Sequence, residues 1–226
     1  MHFTVERRKL RVENHKITWV SGWASDISIW KGRILKFFPK YSHSFIDYCD
    51  LISGNSPDDF WDKNPKSLKA GIVVGWSMGT LALLRNLYKK PKEQKWILVC
   101  PIADFCAPGC WPCAAVKSTT LTAFFALMCD VSEKDRAECL ENALRYSTKQ
   151  LETGLVYLMR KKADFADISE PPDIKLIFGG QDRVVPLAQK RVFTPLLSKK
   201  KLQVGVAVHK DLGHWLPDYF PKLPLI

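Results

Sequence analysis

The sequence predicts an α/β fold: a mostly parallel sheet covered by helices on both faces, with a helical lid inserted between two strands. Three observations predict it. Apolar runs rich in β-branched residues alternate with longer mixed segments. Two of those runs lead directly into helix-forming stretches, the signature of strand–helix units that build parallel sheets. One long stretch, residues 103–172, holds no convincing strand and ends in the breaker Pro171-Pro172.

In chain order, the buried strands are expected at Ile17–Val20, Ser44–Tyr48, Gly71–Gly75, Lys95–Cys100, Ile174–Phe178 and Leu202–Val208. Helices are expected at Met78–Lys90 after the third run and at Pro186–Leu197 after the fifth. Leu121–Cys129 and Glu133–Arg160 read as helical within the strandless stretch, which is too long for one crossover. The chain therefore divides into 1–102, the first part of a core; 103–172, a helical lid; and 173–226, the rest of the core.

Composition sets further bounds. At 226 residues with 46% hydrophobic and 25% charged residues, the chain can bury a full core, which excludes disordered and low-complexity classes. No apolar stretch is long enough to span a membrane. Met1 to Lys16 is polar and basic without an apolar segment, so a cytoplasmic protein is expected, and a monomer. The seven cysteines are expected to be reduced thiols. A net charge of +11 suits an acidic partner. The lysines are dispersed and the aromatics patterned as core, so nucleic acid is not expected as that partner.

The chemistry centres on Gly75-Trp76-Ser77-Met78-Gly79. This is G-x-S-x-G in its required setting, after a strand and before a helix. A nucleophile there sits on a strained turn where neighbouring segments pass closely, and glycine on either side removes the Cβ clashes. The helix N-terminus adds unpaired N–H groups near the reacting oxygen. A serine hydroxyl needs a base. Only His209 and His214 lie downstream, and His214, in Leu212-Gly213-His214-Trp215 after the last strand, is the expected base. Asp182, in Gly179-Gly180-Gln181-Asp182 after the fifth strand, is the expected acid, with Asp104 as fallback. The oxyanion requires two N–H donors. The amide of Met78 and that of Trp23, in Ser21-Gly22-Trp23 after the first strand, are the candidates, and the Trp23 and Trp76 side chains would line an acyl pocket. This chemistry calls for no metal or other cofactor.

Together these segments resemble the α/β-hydrolase superfamily over nearly the whole chain. The Gly-Trp-Ser-Met-Gly elbow with a tryptophan-bearing oxyanion loop is similar to the pimeloyl-acyl-carrier-protein methyl ester esterases of biotin synthesis. The resemblance implies a Ser77–His214–Asp182 triad, oxyanion roles for Trp23 and Met78, and an acidic acyl carrier protein as partner. Two positions depart from the pattern: Ser21 stands where the oxyanion loop usually has histidine, and Thr80 where a third glycine often follows the elbow. The lid totals −2, but Arg136, Arg145 and Arg160 could form one cationic face for substrate or carrier. A general short-chain carboxylesterase or thioesterase shares the chemistry. A non-catalytic hydrolase-fold protein binding an acidic partner is the reading from another class.

Cys106, Cys110 and Cys113 could in principle hold zinc. With no second cysteine pair at a suitable spacing, buried inert cysteines are expected instead.

Overall fold

The computed structural model describes residues 16–54, 56–65, 67–69, 71–107, 121–127, 132–165, 173–198 and 204–225. Cys110, Cys113 and Cys129 lie outside them. Six strands form one parallel sheet: β1 (Lys16–Val20), β2 (Ser42–Ile46), β3 (Ile72–Trp76), β4 (Lys95–Val99), β5 (Ile174–Gly179) and β6 (Val204–His209), in the order β2-β1-β3-β4-β5-β6. Every neighbouring pair is parallel, as in Val74 beside Ile97 or Leu176 beside Val206.

The four inner strands are covered on both faces and nearly fully buried. The expectation of buried strands fails at the two edges. β2 and β6 are largely half-buried or exposed, because each has a neighbour on one side only within the described sheet. The second strand also stops at Ile46, two residues short of the expected Tyr48. Asp47 there caps helix α2 (Tyr48–Ile52) in a reciprocal box with Asp50, so Tyr48 begins a helix.

Helix α1 (Lys31–Phe37) precedes β2, and α3 (Phe60–Lys63) precedes β3. Helix α4 (Met78–Arg85) follows β3 and is buried along almost its whole length. The expected continuation to Lys90 tightens instead into a 3₁₀ turn, Leu87–Lys89. Between β4 and β5 lie α5 (Leu121–Leu127), α6 (Glu133–Ala143) and α7 (Thr148–Arg160). The single helical run expected over 133–160 is broken because Ser147 caps α7 in a box with Gln150. The segment between β4 and β5 is fastened at its two ends. The Ala163 amide donates to the Ala103 carbonyl at 2.8 Å, and Lys162 pairs with Asp104 at 2.7 Å.

The helix expected at 186–197 is a 3₁₀ segment, Leu187–Phe193, followed by α8 (Thr194–Leu197). Pro195 has no N–H for the bond to Arg191 that a continuous α-helix would need. The hydroxyl of Thr194 donates to that carbonyl instead, at 2.7 Å.

Candidate active site

Ser77 follows β3 and opens α4 with φ 53° and ψ −123°, a left-handed conformation that costs a residue with a Cβ about 1–2 kcal/mol. The surroundings hold it there. The Ser77 amide donates to Val99 at 3.1 Å, and the Ser77 carbonyl accepts both the amide and the hydroxyl of Thr80. Thr80 Oγ1 in turn accepts the Ile102 amide at 2.8 Å. The flanking glycines are required by close approach. A Cβ at Gly79 would lie 2.4 Å from the Ser21 carbonyl oxygen, and one at Gly75 would lie 2.5 Å from Leu83.

The loops after β5 and β6 bring the other two groups to the same sheet rim. Nε2 of His214 is 3.0 Å from Oγ of Ser77, and Nδ1 is 2.8 Å from Oδ2 of Asp182. All three side chains are buried. The other carboxylate oxygen of Asp182 accepts the amides of Val184 and Val185 at 2.9 and 2.7 Å, which fixes the group. A carboxylate accepts only, so Nδ1 carries the hydrogen, and Nε2 is left with a lone pair facing the serine hydroxyl.

No protein-family model matches the chain, and no curated protein matches it in sequence. Solved structures match its backbone over nearly the whole length. An esterase from Exiguobacterium antarcticum aligns with a TM-score of 0.74 at 14% identity, over 92% of this chain and 87% of that one. A bromoperoxidase from Bacillus anthracis aligns at 0.69 and 17%, over 92% and 88%. The chain has the α/β-hydrolase fold. The esterase RhEst1 from a Rhodococcus species gives 0.63 and 14%, over 92% and 88%.

In this fold the other acid and base candidates are engaged elsewhere. Asp104 is taken by Lys162 and by the Cys106 amide. His209 ends β6 with its ring against Tyr219. Burial and two lysines, Lys222 and Lys175, push the His209 pKa below the usual histidine value.

The loop after β1 runs against the elbow. A Cβ at Gly22 would lie 3.1 Å from Cβ of Ser77 and 2.9 Å from the Trp76 ring, so the Gly22-Trp23 peptide passes beside the serine. Met78 is the first residue of α4, and its N–H has no acceptor inside the helix. Ser21, standing in the usual histidine position, braces the loop with its own hydroxyl, which donates to the Ser25 carbonyl. Trp23 packs edge-on against Phe124, with its indole N–H donated to the Leu151 carbonyl at 3.0 Å.

Trp76 is wholly internal. Its Nε1 donates to the His214 carbonyl at 2.9 Å, and its ring lies between Trp30 and the imidazole of His214. Two further residues lie against the His214 loop, and neither was expected at the site. Tyr219 donates its hydroxyl to Gly213 at 2.6 Å, and burial holds that phenol protonated, its pKa far above the ordinary value. Cys100, with φ 49°, places Sγ 3.8 and 3.9 Å from the carbonyls of Gly213 and His214.

Cys100, Asp182 and His214 offer donor atoms within 4.8 Å of one another. A cation could use this set only by displacing the Asp182–His214 bond, whose atoms already partner each other. Cys106 is disulfide-bonded, which corrects the expectation that every cysteine is a thiol; Cys49, Cys100 and Cys139 are thiols. The three arginines between β4 and β5 are differently placed. Arg136 is half-buried with an unpartnered Nε, Arg145 is exposed beside Glu141 at 3.8 Å, and Arg160 is exposed at the end of α7. Arg145 lies just before α7 and Arg160 is its last residue, so about 20 Å of helix axis lies between them. Among the described residues no helix is long and apolar enough to cross a membrane.

Proposed function

We propose that the protein is a serine hydrolase of carboxylic esters working through an acyl-enzyme. The observation that carries this reading is the unbroken chain from Ser77 Oγ to His214 Nε2 and from His214 Nδ1 to Asp182. Ser77 attacks the ester carbonyl as His214 takes its proton. Asp182 stabilises the imidazolium and keeps the ring oriented. The amides of Met78 and Trp23 receive the oxyanion. The imidazolium returns the proton to the leaving alcohol, and a water activated by His214 then releases the acid. No cofactor enters the scheme.

The finer reading concerns the substrate. The Gly-Trp-Ser-Met-Gly elbow and Trp-bearing loop support the methyl ester of a carrier-bound pimeloyl chain, and the +11 charge suits an acidic acyl carrier protein. The insertion, whose α5 and α7 meet Trp23, is then a lid over the acyl group, with Trp23 lining its pocket. The esterases among the structural neighbours support the coarser alternative, a general carboxylesterase.

A biotin auxotroph lacking its own methyl esterase tests the substrate. Rescue by the wild type and not by Ser77→Ala is expected. Hydrolysis of simple esters without rescue removes the carrier substrate and keeps the esterase.

A further inference from the structure

Asn142 lies on α6 of the insertion, far in sequence from the loop after β1, yet its buried side chain meets that loop twice. Its Oδ1 accepts the main-chain N–H of Asp26 at 2.9 Å, and its Nδ2 donates to Oδ2 of Asp26 at 3.1 Å. The second carboxylate oxygen of Asp26 accepts the Tyr48 amide at 3.0 Å and the hydroxyl of Tyr146, which lies just beyond α6. Asp26 therefore pins the far end of the loop that starts at Ser21 and carries Trp23.

That loop needs an external tie. Ala24 within it has φ 54°, a left-handed backbone that a residue with a Cβ leaves readily when unconstrained. Ser21 closes the loop from inside through Ser25. Helix α7 adds the Leu151 carbonyl for the Trp23 indole, and Gly154 leaves room for Trp23 and Tyr48 where a Cβ would approach them to 2.6 and 2.3 Å. A side-chain amide can accept at one atom and donate at the next, which is what the N–H and carboxylate of Asp26 demand together.

We infer that Asn142 is a positioning residue for the Trp23 amide, so that the docked insertion sets the geometry of the oxyanion donor. The consequence for catalysis rests on the esterase reading; the clamp on the loop does not. Oxyanion donors act only when held near 3 Å from the developing charge, so a loosened loop lowers kcat more than it weakens substrate binding.

Asn142→Asp in the full chain tests this. It keeps the shape and replaces the donating amide with a second carboxylate facing Asp26. The other titratable groups around Asp26 are Asp47 and Cys49, which feel its charge, and Tyr146. At pH 8 we expect backbone amide exchange in residues 21–26 to speed at least tenfold, with residues 72–77 unchanged. On p-nitrophenyl acetate, kcat should fall about tenfold and KM stay within twofold. At pH 5 the two carboxyls share a proton, and both readouts should return toward the wild type measured at that pH. Tyr146→Phe, a milder change, should raise the same exchange about threefold. Wild-type exchange at 21–26 in both variants overturns the clamp. So does a pH-independent kcat loss with exchange raised throughout the chain. A wild-type chain that hydrolyses no ester, with the exchange result as expected, overturns the esterase reading and leaves the clamp standing.

Discussion

Trp76 donates its indole N–H to the main-chain carbonyl of His214 across 2.9 Å, so the residue before the elbow serine also anchors the loop that carries the imidazole. The relationship joins β3 to the last loop of the sheet. Tyr219 and Cys100 hold the adjoining carbonyl from the other side. Trp76→Phe keeps most of the ring and removes this donor, leaving the buried carbonyl with the weak Cys100 thiol at 3.9 Å. Loss of one such bond costs about 1 kcal/mol, which corresponds to about a fivefold fall in kcat if the imidazole loosens. Steady-state kinetics on a p-nitrophenyl ester, with the melting temperature alongside, checks it.

Asp182→Asn should be more damaging than its size suggests. One oxygen at this position accepts the amides of Val184 and Val185. An asparagine would keep its carbonyl there and turn its NH₂ toward His214 Nδ1. The imidazole would then carry its hydrogen on Nε2 and lose the lone pair facing Ser77. A fall in kcat of about 10²–10⁴ is expected with KM little changed. A variant retaining a tenth of the activity would contradict this role for Asp182.

Gly79→Ala should destabilise the protein itself. The new methyl would meet the carbonyl oxygens of Ser21 and Val20 at 2.4 and 2.7 Å, both main-chain atoms of a buried segment. Such overpacking costs about 1–3 kcal/mol or more. The melting temperature should drop by at least about 2 °C, the lower bound that about 1 kcal/mol gives for a domain of this size. Gly32→Ala, where a Cβ meets nothing within 4 Å, is the matched control and should leave it unchanged or slightly raised.

Stability should decline in mild acid. His43 accepts the Trp19 indole N–H at Nδ1 and donates from Nε2 to Phe38, an arrangement available only to the neutral ring. Burial lowers its pKa against the raising effect of the Phe38 bond, and His209 is lowered as well. The folded state thus binds fewer protons than the unfolded chain below about pH 6.5, the unperturbed histidine value. The contribution is fully present above that pH and is lost as pH falls through the folded-state values. Urea midpoints between pH 8 and 5 should fall, and His43→Gln should flatten the decline.

Much of this was legible in the sequence because the signals were local. Ile72–Trp76 is a short β-branched run that passes through a glycine turn into Met78–Arg85, and the chain order of Ser77, Asp182 and His214 needed no distant information. What escaped depended on neighbours. Val206 and Val208 look like core residues, yet they lie exposed on an edge strand. Cys100 read only as the end of a strand, and the close approach of its sulfur to the base loop comes from sheet order. The Asp26–Asn142 pair spans 116 positions, and neither residue type marks a partner. Pro195 and the Ser147–Gln150 cap, by contrast, were present as local signals that divide two apparently continuous helices.

Labelling with a fluorophosphonate, followed by intact mass and peptide mapping, tests the central assignment most directly. One adduct per chain on Ser77 is expected in the wild type, with none in Ser77→Ala and at least a hundredfold slower labelling in His214→Ala. Labelling elsewhere, or an elbow serine that reacts equally well without the imidazole, would contradict the account.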